Sequence, residues 1–147
     1  SEKWAAIIAF PPCTHLAISG SKYFAEKIAD GRQGAAIDFV EQIWDADCPY
    51  IAIENPVGVL STKSKLGKAS QYIEPYWFGE TYRKKTGLWL KGFPKLVPTD
   101  MVDISKLSKK ELNKLYYLAP SPTRALERSK TAHGVANAIA SQWKEVV

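Results

Sequence analysis

The sequence predicts an α/β fold with a mostly parallel sheet flanked by helices, and three observations predict it. Two short apolar runs, Trp4 to Phe10 and Tyr50 to Ile53, are each cut off by a proline-bearing polar cluster. Between them lies a stretch whose apolar residues recur at intervals of three and four. Strand, helix and strand in that order make a βαβ unit, whose second strand returns parallel to the first. Residues that follow the two runs then sit at the carboxyl ends of buried strands, where open α/β sheets keep their chemistry.

In order along the chain, Trp4-Ala5-Ala6-Ile7-Ile8-Ala9-Phe10 is continuously apolar, too short for a stable helix and stopped by Pro11 and Pro12. That combination fits a strand buried on both faces. From about Phe24, the residues Ile28, Ala36, Phe39, Val40, Ile43 and Trp44 fall on one helix face, with Gly31 and Gly34 breaking the first part near Asp30. Asp47-Cys48-Pro49 ends that helix, and Tyr50-Ile51-Ala52-Ile53 returns as the second strand. Residues 61–70 are polar, basic and aperiodic, which predicts a mobile loop. Glu74 to Gly79 forms an aromatic knot before a turn, and Thr86 to Leu90 a third strand ended by Gly92 and Pro94. Ser108 stands as an N-cap for a short helix within Ser105 to Leu118, with Leu112, Leu115 and Tyr116 on one face. Val135, Ile139 and Trp143 mark the buried stripe of a C-terminal helix.

With 46% hydrophobic residues, the 147 residues carry enough apolar material for one domain, 1–147, with its own core. No apolar run approaches the roughly 20 residues of a membrane span. Ser1-Glu2-Lys3 does not open like a signal peptide, so a cytoplasmic location without membrane contact is the expectation. Cys13 and Cys48 are too few for a disulfide framework and draw no zinc pattern with His15 and His133, so both are read as reduced thiols and no metal is expected. The net charge is +5. Between Ser61 and Lys95 stand Lys63, Lys65, Lys68, Arg83, Lys84, Lys85, Lys91 and Lys95 against Glu74 and Glu80, interleaved with Tyr72, Tyr76, Trp77, Phe78, Tyr82, Trp89 and Phe93. Basic side chains neutralise phosphates and rings stack on unpaired bases, so the segment suits nucleic acid. It equally fits a solvated basic face over an aromatic core.

Pro11-Pro12-Cys13, followed by Ala17-Ile18-Ser19-Gly20, places a thiol at the end of the first strand, and Glu54-Asn55-Pro56 places a carboxylate directly after the second. A nucleophile on one strand end and an acid on its neighbour is an arrangement for covalent catalysis. A free cysteine is also a common core residue, and Glu54 with Asn55 would serve as a strand cap. In order and spacing, these two segments resemble the nucleophile loop and the Glu-Asn-Val motif of DNA cytosine-5 methyltransferases. The resemblance is closest to the compact, phage-type members of that superfamily and runs over most of the chain. It implies a partial Rossmann-like methyltransferase fold, DNA as partner and S-adenosyl-L-methionine as methyl donor. Pro56 replaces the valine of larger members, and Thr14 stands where they have glutamine.

The resemblance also implies roles. A cytosine ring cannot take a methyl group at C5 until a nucleophile has added at C6, so Cys13 is the implied nucleophile and Glu54 the group that holds or protonates N3. Arg83 and Lys85, ahead of the third strand, resemble the family's basic motif and are implied nucleic-acid contacts. Lys63 and Lys65 join them from a loop that closes over the strand. Pro11 and Asn137, the latter within Gly134-Val135-Ala136-Asn137-Ala138-Ile139, are the implied cofactor contacts. The target base leaves its stack to reach Cys13.

Family members begin with a strand and a glycine-rich loop that hold the cofactor, and this sequence opens after that place. None of its glycines forms a Gly-x-Gly between strand and helix. Three expectations follow: a fragment whose sheet lacks its first strand, a sheet completed by a second copy or another chain, or a protein that has lost methyl transfer. Three readings stay open. The first is a cytosine-5 methyltransferase or its catalytic part, and the second a module that binds nucleic acid or a partner without turnover. The third is an amino-methyltransferase, because Phe10-Pro11-Pro12 resembles the Pro-Pro core of adenine enzymes, although those carry an aromatic ring where Cys13 stands.

Overall fold

The computed structural model describes residues 3–147. The chain divides into two compact units, one of residues up to 72 with 86–95 and 147, the other of residues 73–85 and 96–146.

The first unit holds β1 (Ile7–Ala9), a 3-10 helix over Ile18–Tyr23, α1 (Phe24–Ala29), α2 (Arg32–Trp44), β2 (Ile51–Pro56) and α3 (Leu60–Lys63). To these it adds most of β3 (Gln71–Ile73) and all of β4 (Thr86–Lys91). The strands form one sheet in the order β1-β2-β4-β3. β1 and β2 are parallel, with Ile7 opposite Ile51 and Ala9 opposite Ile53. β2 and β4 are antiparallel, from Ile51 opposite Lys91 to Pro56 opposite Thr86. The sheet is thus mixed, which corrects the mostly parallel sheet expected from the sequence. A parallel return needs a crossover helix long enough to lie back across the sheet. After β2 the chain has only the four-residue α3 before β3 and β4, and β4 comes back antiparallel.

α2 covers one face of this sheet. Its Val40 is buried among Leu16, Ile51, Ile53, Leu60 and Trp89, with Ala36, Ile37, Ile43 and Trp44 packed around them. Each fully buried aliphatic side chain of this kind stabilises the fold by about 1.5–3 kcal/mol. Gly31, at φ 80°, makes the left-handed turn that separates α1 from α2, as its place near Asp30 predicts. The helix faces are rotated from the predicted stripe. Ile28 and Phe39 are half exposed, whereas Lys27 and Gln33 are buried at 6% and 2% exposure. The loop predicted to be mobile is tied down: the Trp89 indole N–H donates to the Gly67 carbonyl at 2.9 Å, and the Lys65 amide donates to the Glu41 carboxylate at 2.9 Å. β1 lies at the sheet edge, with Trp4, Ile8 and Phe10 exposed on and around it.

The second unit holds α4 (Lys109–Leu112), α5 (Arg124–Ser129) and α6 (His133–Trp143). Ser108 caps α4 as predicted, in a reciprocal box where its hydroxyl accepts from the Glu111 amide and the Glu111 carboxylate accepts from the Ser108 amide. α4 stops at Leu112, however, and Tyr116, expected on the buried face, is exposed. Val135, Ala138, Ile139 and Trp143 of α6 are buried, which includes the whole predicted stripe. Gly134 has no room for a side chain, since a Cβ there would meet the Phe78 carbonyl oxygen at 1.9 Å. Among the described residues no helix is long and apolar enough to cross a membrane.

Glu74, in the same unit, accepts from the Lys84 amide at 3.0 Å. Burial raises its pKa above the ordinary carboxylate value, and neither that bond nor nearby Arg83 and Lys85 fully reverses the effect. A raised folded-state pKa means stability present at low pH and lost as pH rises through the folded value. Glu74→Gln keeps an acceptor for Lys84 and removes the buried charge. In thermal melts it should unfold above the parent at pH 8 and with the parent at pH 3, where the native carboxyl is also protonated.

Candidate functional site

Because β1 and β2 are adjacent and parallel, the segments that follow them emerge at the same end of the sheet. With Ala9 opposite Ile53, Phe10 comes level with Glu54, and Cys13 follows within the next turn of chain. Side chains alternate along a strand. Ile51, Ile53 and Asn55 therefore share the face towards α2, and Glu54 lies on the other face beside Leu88, its partner on β4. Glu54 and Asn55 are both buried, and Cys13 is half-buried.

The loop that carries Cys13 is held through its carbonyls. Pro11 and Pro12 have no amide hydrogens, so this stretch makes few bonds of its own and its buried carbonyls need donors from elsewhere. Asn55 Nδ2 donates to the Pro11 carbonyl at 3.0 Å. Lys27 Nζ donates to the Thr14 carbonyl at 2.6 Å, and Gln33 Nε2 to the His15 carbonyl at 3.1 Å. Lys63 Nζ in turn donates to Gln33 Oε1 at 3.1 Å and fixes its amide. The Cys13 carbonyl accepts from the amides of Leu16 and Ala17, at 3.0 and 2.9 Å, closing a single turn.

That turn is stitched to the chain beyond β2. The Val59 amide donates to the Leu16 carbonyl and the Ile18 amide to the Val57 carbonyl, both at 2.9 Å. The two backbones run so close at Gly58 that a Cβ there would lie 1.9 Å from the Leu16 oxygen. Asn55, which the sequence marks as structural, thus joins the two motifs, while its Oδ1 is buried without a partner. His15 Nδ1 is likewise buried without a partner.

The remaining predicted residues fall as follows. Pro11 is buried, and its carbonyl is engaged by Asn55. Lys63 holds Gln33, and Lys65 pairs with Asp45, so both lysines have partners inside the first unit. Arg83 and Lys85 are exposed residues of the second unit, as is Asn137 on α6. The aromatic side chains of residues 61–95 belong to packing: Phe78, Trp89 and Phe93 are buried, and Tyr72, Tyr76, Trp77 and Tyr82 are half-buried. Among the described residues, no three metal-ligating side chains come together.

Lys27 and Gln33, which hold the Cys13 loop, are residues that sequence reasoning missed. Gln33 did leave a signal, because it falls three, four and seven residues ahead of Ala36, Ile37 and Val40, on the buried stripe where a polar residue needs a reason. The second thiol contrasts with the first. Cys48 is buried with its sulfur 3.3 Å from the carbonyls of both Trp4 and Tyr50.

The arrangement offers a half-buried cysteine on a loop tied down by hydrogen bonds and a buried carboxylate on β2, both towards one end of a parallel strand pair. Asn55→Ala removes the donor to a buried carbonyl and should cost about 1–3 kcal/mol in urea denaturation. Gly58→Ala, which forces two backbones apart, should cost at least as much. Compared with models of protein families, with curated proteins and with solved structures, the chain matches none.

Proposed function

We propose that this is a DNA cytosine-5 methyltransferase-like protein in which Cys13 adds to a flipped cytosine while Glu54 engages the same ring. The observation that carries the reading is the coupling of the two motifs: the Cys13 loop follows β1, Glu54 and Asn55 lie in the last half of the adjacent parallel β2, and Asn55 holds the carbonyl two residues before Cys13. In the proposed step the Cys13 sulfur bonds to C6 and the C5–C6 double bond opens. The electron pair released towards the ring is met by a proton or hydrogen bond from Glu54 at N3. With no methyl donor, the thiol proton ends on C5, and reversal restores cytosine and the free thiol.

The residues present do not make a seat for S-adenosyl-L-methionine. Among the described residues, glycines at positive φ are Gly31, Gly67, Gly79 and Gly92, and none lies in the turn after β1 or β2. The Pro11 carbonyl is already engaged by Asn55. Transfer of the methyl group by this chain therefore depends on a donor site built elsewhere, and we place a second chain completing the sheet at the β1 edge. The same observation favours the second reading, a methyltransferase-like module that binds DNA without turnover.

DNA carrying a pyrimidinone base traps thiol addition without methyl transfer, and fluorocytosine DNA with S-adenosyl-L-methionine traps the methylated adduct. The expected result is a denaturant-stable protein–DNA species on pyrimidinone DNA that disappears in Cys13→Ala and forms about 100-fold more slowly in Glu54→Gln. An adduct that survives Cys13→Ala, or none on either DNA, would sink the enzyme reading. An adduct on fluorocytosine DNA as well would assign methyl transfer to the chain itself.

A further inference from the structure

We propose that the second unit carries a docking surface for single-stranded nucleic acid, with Tyr116 and Tyr117 as stacking rings and Arg83, Lys109, Lys110 and Lys114 as the cations that follow its phosphates. It rests on the reading above only in taking nucleic acid as the partner, and it needs no chemistry at Cys13.

Sequence-distant segments build this surface. The Arg83 amide donates to the Leu112 carbonyl at 2.9 Å, and Lys114 Nζ stands 4.4 Å over the centre of the Tyr82 ring. Lys84 Nζ donates to the Lys130 carbonyl at 3.0 Å. Residues 82–85 are thereby fastened to the end of α4 through one set of bonds and to the residue after α5 through another. The basic run singled out in the sequence acquires three further cations, Lys109, Lys110 and Lys114, that lie 24 or more positions away.

These charges are poorly compensated. From Ser105 to Lys130 the chain has Lys106, Lys109, Lys110, Lys114, Arg124, Arg128 and Lys130 against Glu111 and Glu127 alone. Both acids are engaged locally. Glu111 turns back to accept from the Ser108 amide at 2.7 Å, which also holds its carboxyl below the usual pKa range. Glu127 pairs with Lys130 at 2.9 Å. Among the described residues Lys109, Lys110 and Lys114 form no ion pair, and Arg83 has the Glu74 carboxyl nearby without a direct salt bridge to it. The partner that complements such a surface is a polyanion.

The rings narrow the choice of polyanion. Tyr116 is 71% and Tyr117 48% exposed, and the two meet edge to face with centroids 5.3 Å apart. That geometry leaves a flat ring face open. An unpaired base stacks on such a face with a free energy of about 1–3 kcal/mol, whereas a duplex presents its phosphates and keeps its bases stacked inside.

The test is fluorescence anisotropy of a labelled oligothymidylate and of a labelled duplex, with polyglutamate as competitor and the full chain carrying Cys13→Ala throughout. The single strand should bind at least about tenfold more tightly than the duplex. Tyr116→Ala with Tyr117→Ala should weaken the single strand about tenfold or more while leaving the duplex within about twofold. Lys109→Gln with Lys110→Gln should reduce the salt slope for the single strand by about 1.4. All six side chains except Lys114 are free of the packed interior, so circular dichroism of these variants should match the parent. Equal binding of strand and duplex, a tyrosine variant that binds like the parent, preference for polyglutamate, or no binding at low salt would each overturn the proposal. Ring-dependent binding here, together with no covalent adduct from the parent chain on pyrimidinone DNA, would support this surface and remove only the reaction at Cys13.

Discussion

A loop with two consecutive prolines cannot fasten itself, and the first unit is arranged around that deficit. Pro11 and Pro12 bring carbonyls without amide hydrogens, and the loop they open carries the thiol. Three side chains from three different elements supply the missing donors: Asn55 from β2, Lys27 from α1 and Gln33 from α2. A buried carbonyl left without a donor costs more than an ordinary hydrogen bond contributes, so these placements are enforced. They explain why a lysine and a glutamine turn inward while Ile28 and Phe39 face water. The same bonds make the Cys13 loop a defined shape before anything binds to it.

How much of this was legible in the sequence follows from the range of each interaction. The strand ends were readable because an apolar run stopped by proline is a local signal, and so were the Gly31 break and the Ser108 cap. What the sequence misjudged was decided by partners far along the chain. The helix faces were misplaced because the pull on Lys27 and Gln33 comes from carbonyls 13 and 18 residues away. The end of α4 was overrun because the Leu112 carbonyl, which a continuing helix would give to Tyr116, accepts instead from the Arg83 amide. The antiparallel direction of β4 follows from the lack of a long crossover helix between β2 and β4, and its place from the edge of β2 that β1 leaves free.

The candidate site divides in the same way. Cys13 and Glu54 could be named from their places after two apolar runs, and the parallel register brings their segments to one end of the sheet. The basic and aromatic residues could be counted but not sorted. Trp89 is locked to Gly67 and Lys63 to Gln33, so much of the segment that looked like a binding face is internal scaffolding. Rings and cations that do meet solvent together lie further along, after α4, where composition alone gave them no distinction from any other lysine-rich turn.

The two sulfurs stand at opposite ends of the parallel strand pair: Cys48 lies against Trp4 ahead of β1, and Cys13 comes after it. The strand between them sets a separation on the order of 20 Å, far beyond the roughly 7 Å across which a cystine can form. Exposure to an oxidant therefore cannot lock this molecule by an internal crosslink. Any bridge would have to be made through the half-buried Cys13 to another thiol-bearing molecule, and a reductant would reverse it.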